Sequence, residues 1–150
     1  MNLANEINNK ERILSIREVE ENGFDGFKIL TTEQEIFLGI DNFQSWCEDW
    51  GYFVTEDKDK FDDYKGAYLI DIKITDTELK SVDRDRVSGK FSDIIQDDGK
   101  IYTTYEGSTM FVDIVTNKGT LQFCAYNEHN GYYGHDVVIR SKQLQREICL

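Results

Sequence analysis

Both histidines of this 150-residue chain fall between Asn127 and Asp136, in a stretch that also carries Glu128, Asn130, Gly131, Tyr132, Tyr133 and Gly134. His129 and His135 are borderline metal ligands, Glu128 and Asp136 are hard ones, and Cys124 lies just upstream. The His-x5-His spacing matches neither the His-x3-His of a helical zinc protease nor the His-x3–5-His of a zinc finger, and no thiol pair completes a tetrahedron. No metal and no cofactor is therefore expected. Two readings of the stretch stay open. In one, Asn127, His129, Asn130, Tyr132, Tyr133, His135 and Asp136 converge on a small ligand or, as the less favoured form of that reading, a metal ion, with hydrolysis as a further option. In the other, the stretch is an Asn/Gly turn whose aromatics close the core and whose histidines bond to backbone.

Other chemistries find less support. Asp71-Ile72-Lys73, preceded by Asp62 and Asp63, has the outline of a restriction-type Mg²⁺ site. Strand alternation accounts for Asp71 and Lys73 more plainly, as a solvent-facing pair. Asp57 and Asp59 open like an EF-hand loop, but Phe61 takes the next ligand position and no glycine follows it. Glycine-rich phosphate loops and Ser/His/Asp or Cys/His sets are missing from the sequence, so no catalytic residue is assigned.

Charge narrows the partner classes. Lys and Arg number 17 against 29 Asp and Glu, a net charge of −12. Such a chain repels phosphates, so direct nucleic-acid binding and anionic membrane surfaces are disfavoured, while steered association with a basic protein is favoured. Acids and aromatics mix most densely at Trp46, Glu48, Asp49, Trp50, Glu56, Asp57, Asp59, Asp62 and Asp63. These are the candidate partner-binding residues, because carboxylates around aromatics imitate phosphates around bases. Cys47, Cys124 and Cys149 are odd in number and widely spaced, which argues against a disulfide framework. No run reaches the roughly 20 apolar residues of a membrane helix and no signal-peptide pattern opens the chain, so a cytoplasmic location is expected.

The elements that must position these residues read as α+β, one domain over 1–150 with a predominantly antiparallel sheet and one or two short helices. Residues 1–11 form a frayed lead and 76–100 a loop-rich insertion. Strands are expected at 13–20, 27–31, 35–40, 68–74, 101–105, 110–115, 121–126 and 137–139, the last followed by a polar tail. Turn chemistry rests on Gly, Asn and Asp, since the chain has no proline. Asp41-Asn42 offers a helix cap, and Phe43, Trp46 and Trp50 recur at helical spacing up to Gly51. Alternation marks Ile29, Ile36, Leu38, Ile70, Ile72, Ile74, Phe111, Ile114, Leu121 and Phe123 as core. The stretch from Ile29 to Asn42 aligns without gaps on Ile114 to Asn127, and each leads into an aromatic segment, Gly51 to Phe53 and Gly131 to Tyr133. That pattern suggests a duplicated strand-hairpin unit.

Lys118 to Phe123, Ala125 to His135, Trp46 to Phe53 and Ile72 to Thr77 together resemble an uncharacterised family of small acidic proteins of phages and bacterial mobile elements. The resemblance covers about residues 13 to 140, with 78–106 divergent or inserted. It implies a phage or mobile-element origin and a role in binding host machinery, such as blocking the nucleic-acid-binding surface of a defence protein.

Overall fold

A computed structural model of the chain describes residues 10–43, 50–56, 58–75, 88–90, 108–127 and 134–150. Among these residues, ten strands form two five-stranded antiparallel sheets. They are β1 (Ile13–Glu21), β2 (Phe24–Thr31), β3 (Glu35–Asp41), β4 (Trp50–Val54), β5 (Leu69–Thr75), β6 (Ser88–Lys90), β7 (Ser108–Thr116), β8 (Gly119–Asn127), β9 (Asp136–Arg140) and β10 (Gln145–Cys149). The first sheet runs β1-β2-β3-β9-β10 and the second β5-β7-β8-β4-β6. The chain thus crosses between sheets after β3 and returns after β8.

The α+β expectation is overturned. Among the described residues the one helical segment is a 3-10 turn at Lys58–Tyr64, and everything else regular is antiparallel strand. No helix among them is long and apolar enough to cross a membrane. Where the aromatic spacing predicted a helix ending at Gly51, Trp50 and Gly51 instead begin β4, all five residues of which are buried. A strand covered on both faces loses its alternation, so Trp50 reads by the helical spacing it shares with Phe43 and Trp46, which lie outside β4. Gly51 is required there by crowding. A Cβ would come within 2.2 Å of the Lys90 carbonyl oxygen and 2.8 Å of the Tyr126 ring.

The facing surfaces of the sheets form the core. Phe27 sits at its centre, with edge-to-face contacts to Tyr52 at 5.6 Å, Phe61 at 6.1 Å and Phe123 at 6.1 Å between ring centroids. Ile16, Ile29, Ile36, Leu38 and Ile40 face Ile72, Val112, Ile114, Leu121 and Val54. Each such side chain contributes about 1.5–3 kcal/mol on burial. Phe111 is buried as well, but outside this cluster, in a cross-strand row with Cys124 and Phe53. The buried Gln122 amide donates to Asp113 at 2.8 Å in the next row, which satisfies both groups.

Two of the expected core residues are not inside. Ile72 is buried, whereas Ile70 is 62% and Ile74 37% exposed. β5 is the outer strand of its sheet, and a β-bulge between Leu69 and Asp71 breaks the inside-outside alternation at Ile70. Asp71 and Lys73 are exposed as expected.

The polar tail after residue 140 holds a strand, β10, paired to β9. Within the expected 76–100 insertion, Ser88–Lys90 is strand β6 and the rest lies outside the described residues, as does the strand expected at 101–105. Of the expected frayed lead, Glu11 is engaged, its carboxylate bonding Thr31 and Gln34 and its carbonyl accepting from Leu69 N–H.

Candidate functional site

Two of the sequence-selected residues, one from each candidate set, meet where the crossing strands begin. Trp50 opens β4 and His135 directly precedes β9, and their rings stack at 4.9 Å with an interplanar angle of 28°. His135 has no exposed surface. Its Nδ1 lies 3.0 Å from the Asp41 carbonyl oxygen and 3.0 Å from Asp41 Oδ1, both acceptors, so Nδ1 carries the hydrogen. The other Asp41 oxygen accepts the backbone N–H of Asp136 at 2.7 Å. Backbone bonds of 3.2 and 2.9 Å join His135 to Leu150, whose carbonyl oxygen also accepts from the buried Asn127 amide at 3.1 Å. On the indole, Lys90 Nζ stands 3.9 Å from the ring centroid.

This carboxylate–imidazole pair has the arrangement of a base and its orienting acid, with the imidazole wholly buried. The exposed Cys149 has its thiol pKa raised by desolvation, by the charge and hydrogen bond of Asp136 and by the charge of Asp41, which suppresses the thiolate. Cys124 is buried, and its thiol contacts Gln122 Oε1 at 3.7 Å. No group of three or more His, Cys, Asp or Glu side chains able to hold a metal occurs among the described residues. The Asp41–His135–Trp50 contacts and the His135–Leu150 backbone bonds join β3, β9 and Leu150 to β4. His129, Asn130, Tyr132 and Tyr133 lie outside the described residues, so the remainder of that candidate set is not placed.

The acidic candidates divide differently. Asp62 and Asp63 are exposed on the 3-10 helix, which also includes Asp59, while Phe61 and Tyr64 of the same helix point into the core. Asp62 pairs with Lys65 at 3.2 Å on the surface. Glu56 is half-buried, and its charge helps burial to raise the Tyr64 pKa. Trp50 is only 4% exposed, so it belongs to the stack above and not to an outer surface. Trp46, Glu48, Asp49 and Asp57 lie outside the described residues.

Sequence reasoning missed a second acidic feature. At one end of the sandwich, Glu18, Val19, Glu20, Asp25, Tyr52 and Lys90 line an open groove of about 430 Å³. The Tyr52 ring is in the core, and its hydroxyl donates to Glu18 at 2.5 Å. Burial first, and then the Glu18 hydrogen bond and charge, push the phenol pKa far above its ordinary value. Glu18 and Glu20 stand two apart on β1, on the side that carries Ile16. That period was the available signal, obscured by the bulge between Ile13 and Ser15.

No curated protein and no solved structure matches the chain. The sequence profile of one family, the domain of unknown function DUF7448, matches residues 9–139, and the chain belongs to that family.

Proposed function

We propose that the protein is a non-enzymatic binding domain that presents carboxylates to a basic partner protein. The observation that carries this reading is the division of the 3-10 helix, with Asp62 and Asp63 turned to solvent and Phe61 and Tyr64 turned inward. The net charge of −12 and the open groove bounded by Glu18, Glu20 and Asp25 add to it. The resemblance to phage and mobile-element proteins supplies a context. There, the partner is a nucleic-acid-binding host protein, in particular a defence protein, whose basic surface is occupied in the bacterial cytoplasm.

Titration with an oligolysine peptide tests the reading, with an oligoglutamate peptide as control. Binding of oligolysine alone is expected, falling steeply between 50 and 300 mM salt as the Debye length shrinks below ~10 Å. The Asp59→Asn, Asp62→Asn, Asp63→Asn triple variant is expected to weaken it at least several-fold with no loss of stability. Equal affinity for both peptides, or full retention by the triple variant, overturns the proposal.

A further inference from the structure

Four strands of each sheet repeat one another in register. Each holds a three-stranded meander, β1-β2-β3 or β5-β7-β8, extended by a strand from the other half of the sequence, β9 or β4, with β10 or β6 added outermost. Phe27↔Leu38 and Ile29↔Ile36 in the first meander correspond to Val112↔Phe123 and Ile114↔Leu121 in the second. The added strands keep the correspondence. Leu38↔Ile139 and Ile40↔Val137 on one side match Phe123↔Val54 and Ala125↔Tyr52 on the other. Even the irregularities recur, since the bulge between Ile13 and Ser15 has its counterpart between Leu69 and Asp71 at the same place relative to Thr31 and Thr116.

Those two threonines close their hairpins alike. Thr31 Oγ1 accepts the N–H of Glu33 at 3.1 Å, and Thr116 Oγ1 accepts that of Lys118 at 3.1 Å. Positions that correspond in the two halves touch each other at two points. Arg12 bridges to Tyr68, its guanidinium 4.4 Å from the ring centroid, and Trp50 stacks on His135. A residue that contacts its own counterpart lies on a two-fold axis. The halves differ chiefly where β1 turns into β2 at Asn22-Gly23, whereas residues 76–107, carrying β6, separate β5 from β7.

We infer that the domain is an internal homodimer, two copies of one four-stranded unit fused in a single chain and closed by reciprocal exchange of the fourth strand, and that the surface joining the halves also accepts the matching half of a second copy of the chain. An interface built about a two-fold is self-complementary by construction. Without the other half, β3 and β8 each lose the partner on one edge, so neither half completes a sheet alone. When two chains exchange halves, every strand pair is kept and two whole sandwiches result. Only the connection between β4 and the 3-10 helix changes course, so protein concentration and that short connection set the balance.

Complementation between two full-length variants tests this. Ile29→Asp places a charge in the core of the first half and Ile114→Asp in that of the second, both at positions with almost no exposure. Each chain alone is expected to lose the native near-ultraviolet circular dichroism. Mixed in denaturant and refolded together in high salt, which screens like-charge repulsion, they should recover it to about half the wild-type signal per chain, as a 1:1 dimer with one intact sandwich. A mixture no more folded than its components overturns the inference. Should either variant stay folded alone, the pair Leu38→Asp and Phe123→Asp, equally central and equally matched, replaces it with the same two outcomes.

Discussion

Tyr52 couples the core to the acidic end of the sandwich through one oxygen, and that coupling has a pH signature. The folded-state phenol pKa lies above the unfolded value near 10, so its stabilisation is complete below pH 10 and is lost as the pH climbs further. Wild-type stability is expected to fall above pH 10, because the unfolded phenol ionises while the folded one resists. Tyr52→Phe should cost roughly 1.5–3 kcal/mol at neutral pH, the loss of a hydrogen bond to a carboxylate, yet flatten the alkaline limb. Urea unfolding at pH 7 and pH 11 checks both halves of this expectation. Equal slopes with pH in both proteins would remove the argument. His135 gives a second case. His135→Ala opens a cavity against Trp50 and strands the Asp41 carboxylate, for an expected loss of about 2 kcal/mol or more in urea unfolding. Asp41→Asn, which retains an acceptor, should cost less.

The elements that repeat should also respond alike. Thr31 and Thr116 close equivalent turns in different sheets, so Thr31→Ala and Thr116→Ala are each expected to cost about 1 kcal/mol, and the double variant about their sum. Chemical denaturation of the three variants measures this, and a much larger effect at one turn would count against their equivalence. Both turns were legible in the sequence, as were β1, β2, β3, β7 and β8, because one face of each carries alternating apolar residues or ends in turn chemistry. β4 was not. Its five buried residues have no period, and the cap-like Asp41-Asn42 drew Trp50, which is a strand residue, into an expected helix. β10 was hidden for the opposite reason. Gln145-Arg146-Glu147 presents almost nothing apolar, and the strand exists because the β9 edge and the buried Leu150 hold it. Of the candidate site, residue types were readable but pairing was not. His135 and Trp50 sit in separate sequence motifs and meet only because their strands cross between sheets.

At the scale of the whole molecule, charge opposes stability and serves binding. With a net charge of −12, carboxylates outnumber attractive partners, and pairs such as Lys28 with Glu21 and Glu35 compensate only locally. Salt weakens attraction and repulsion together, so the sign of its effect follows the larger sum, which here is repulsion. Raising NaCl from 10 to 150 mM shortens the Debye length from ~30 to ~8 Å and is expected to raise Tm by about 2–4 °C, corresponding to roughly 1 kcal/mol. Sodium and potassium chloride should act alike and level off below ~0.2 M if screening is the cause. A flat or falling Tm over that range contradicts the argument. The same reasoning joins stability to recognition. Asp62→Asn with Asp63→Asn removes repulsion at the exposed 3-10 helix, so the double variant should melt higher than wild type at 10 mM salt and lose that advantage at 150 mM, while binding oligolysine more weakly at both. Calorimetric melts and peptide titrations on one preparation read the two effects side by side. A variant that gained stability without losing affinity would place the recognition surface elsewhere.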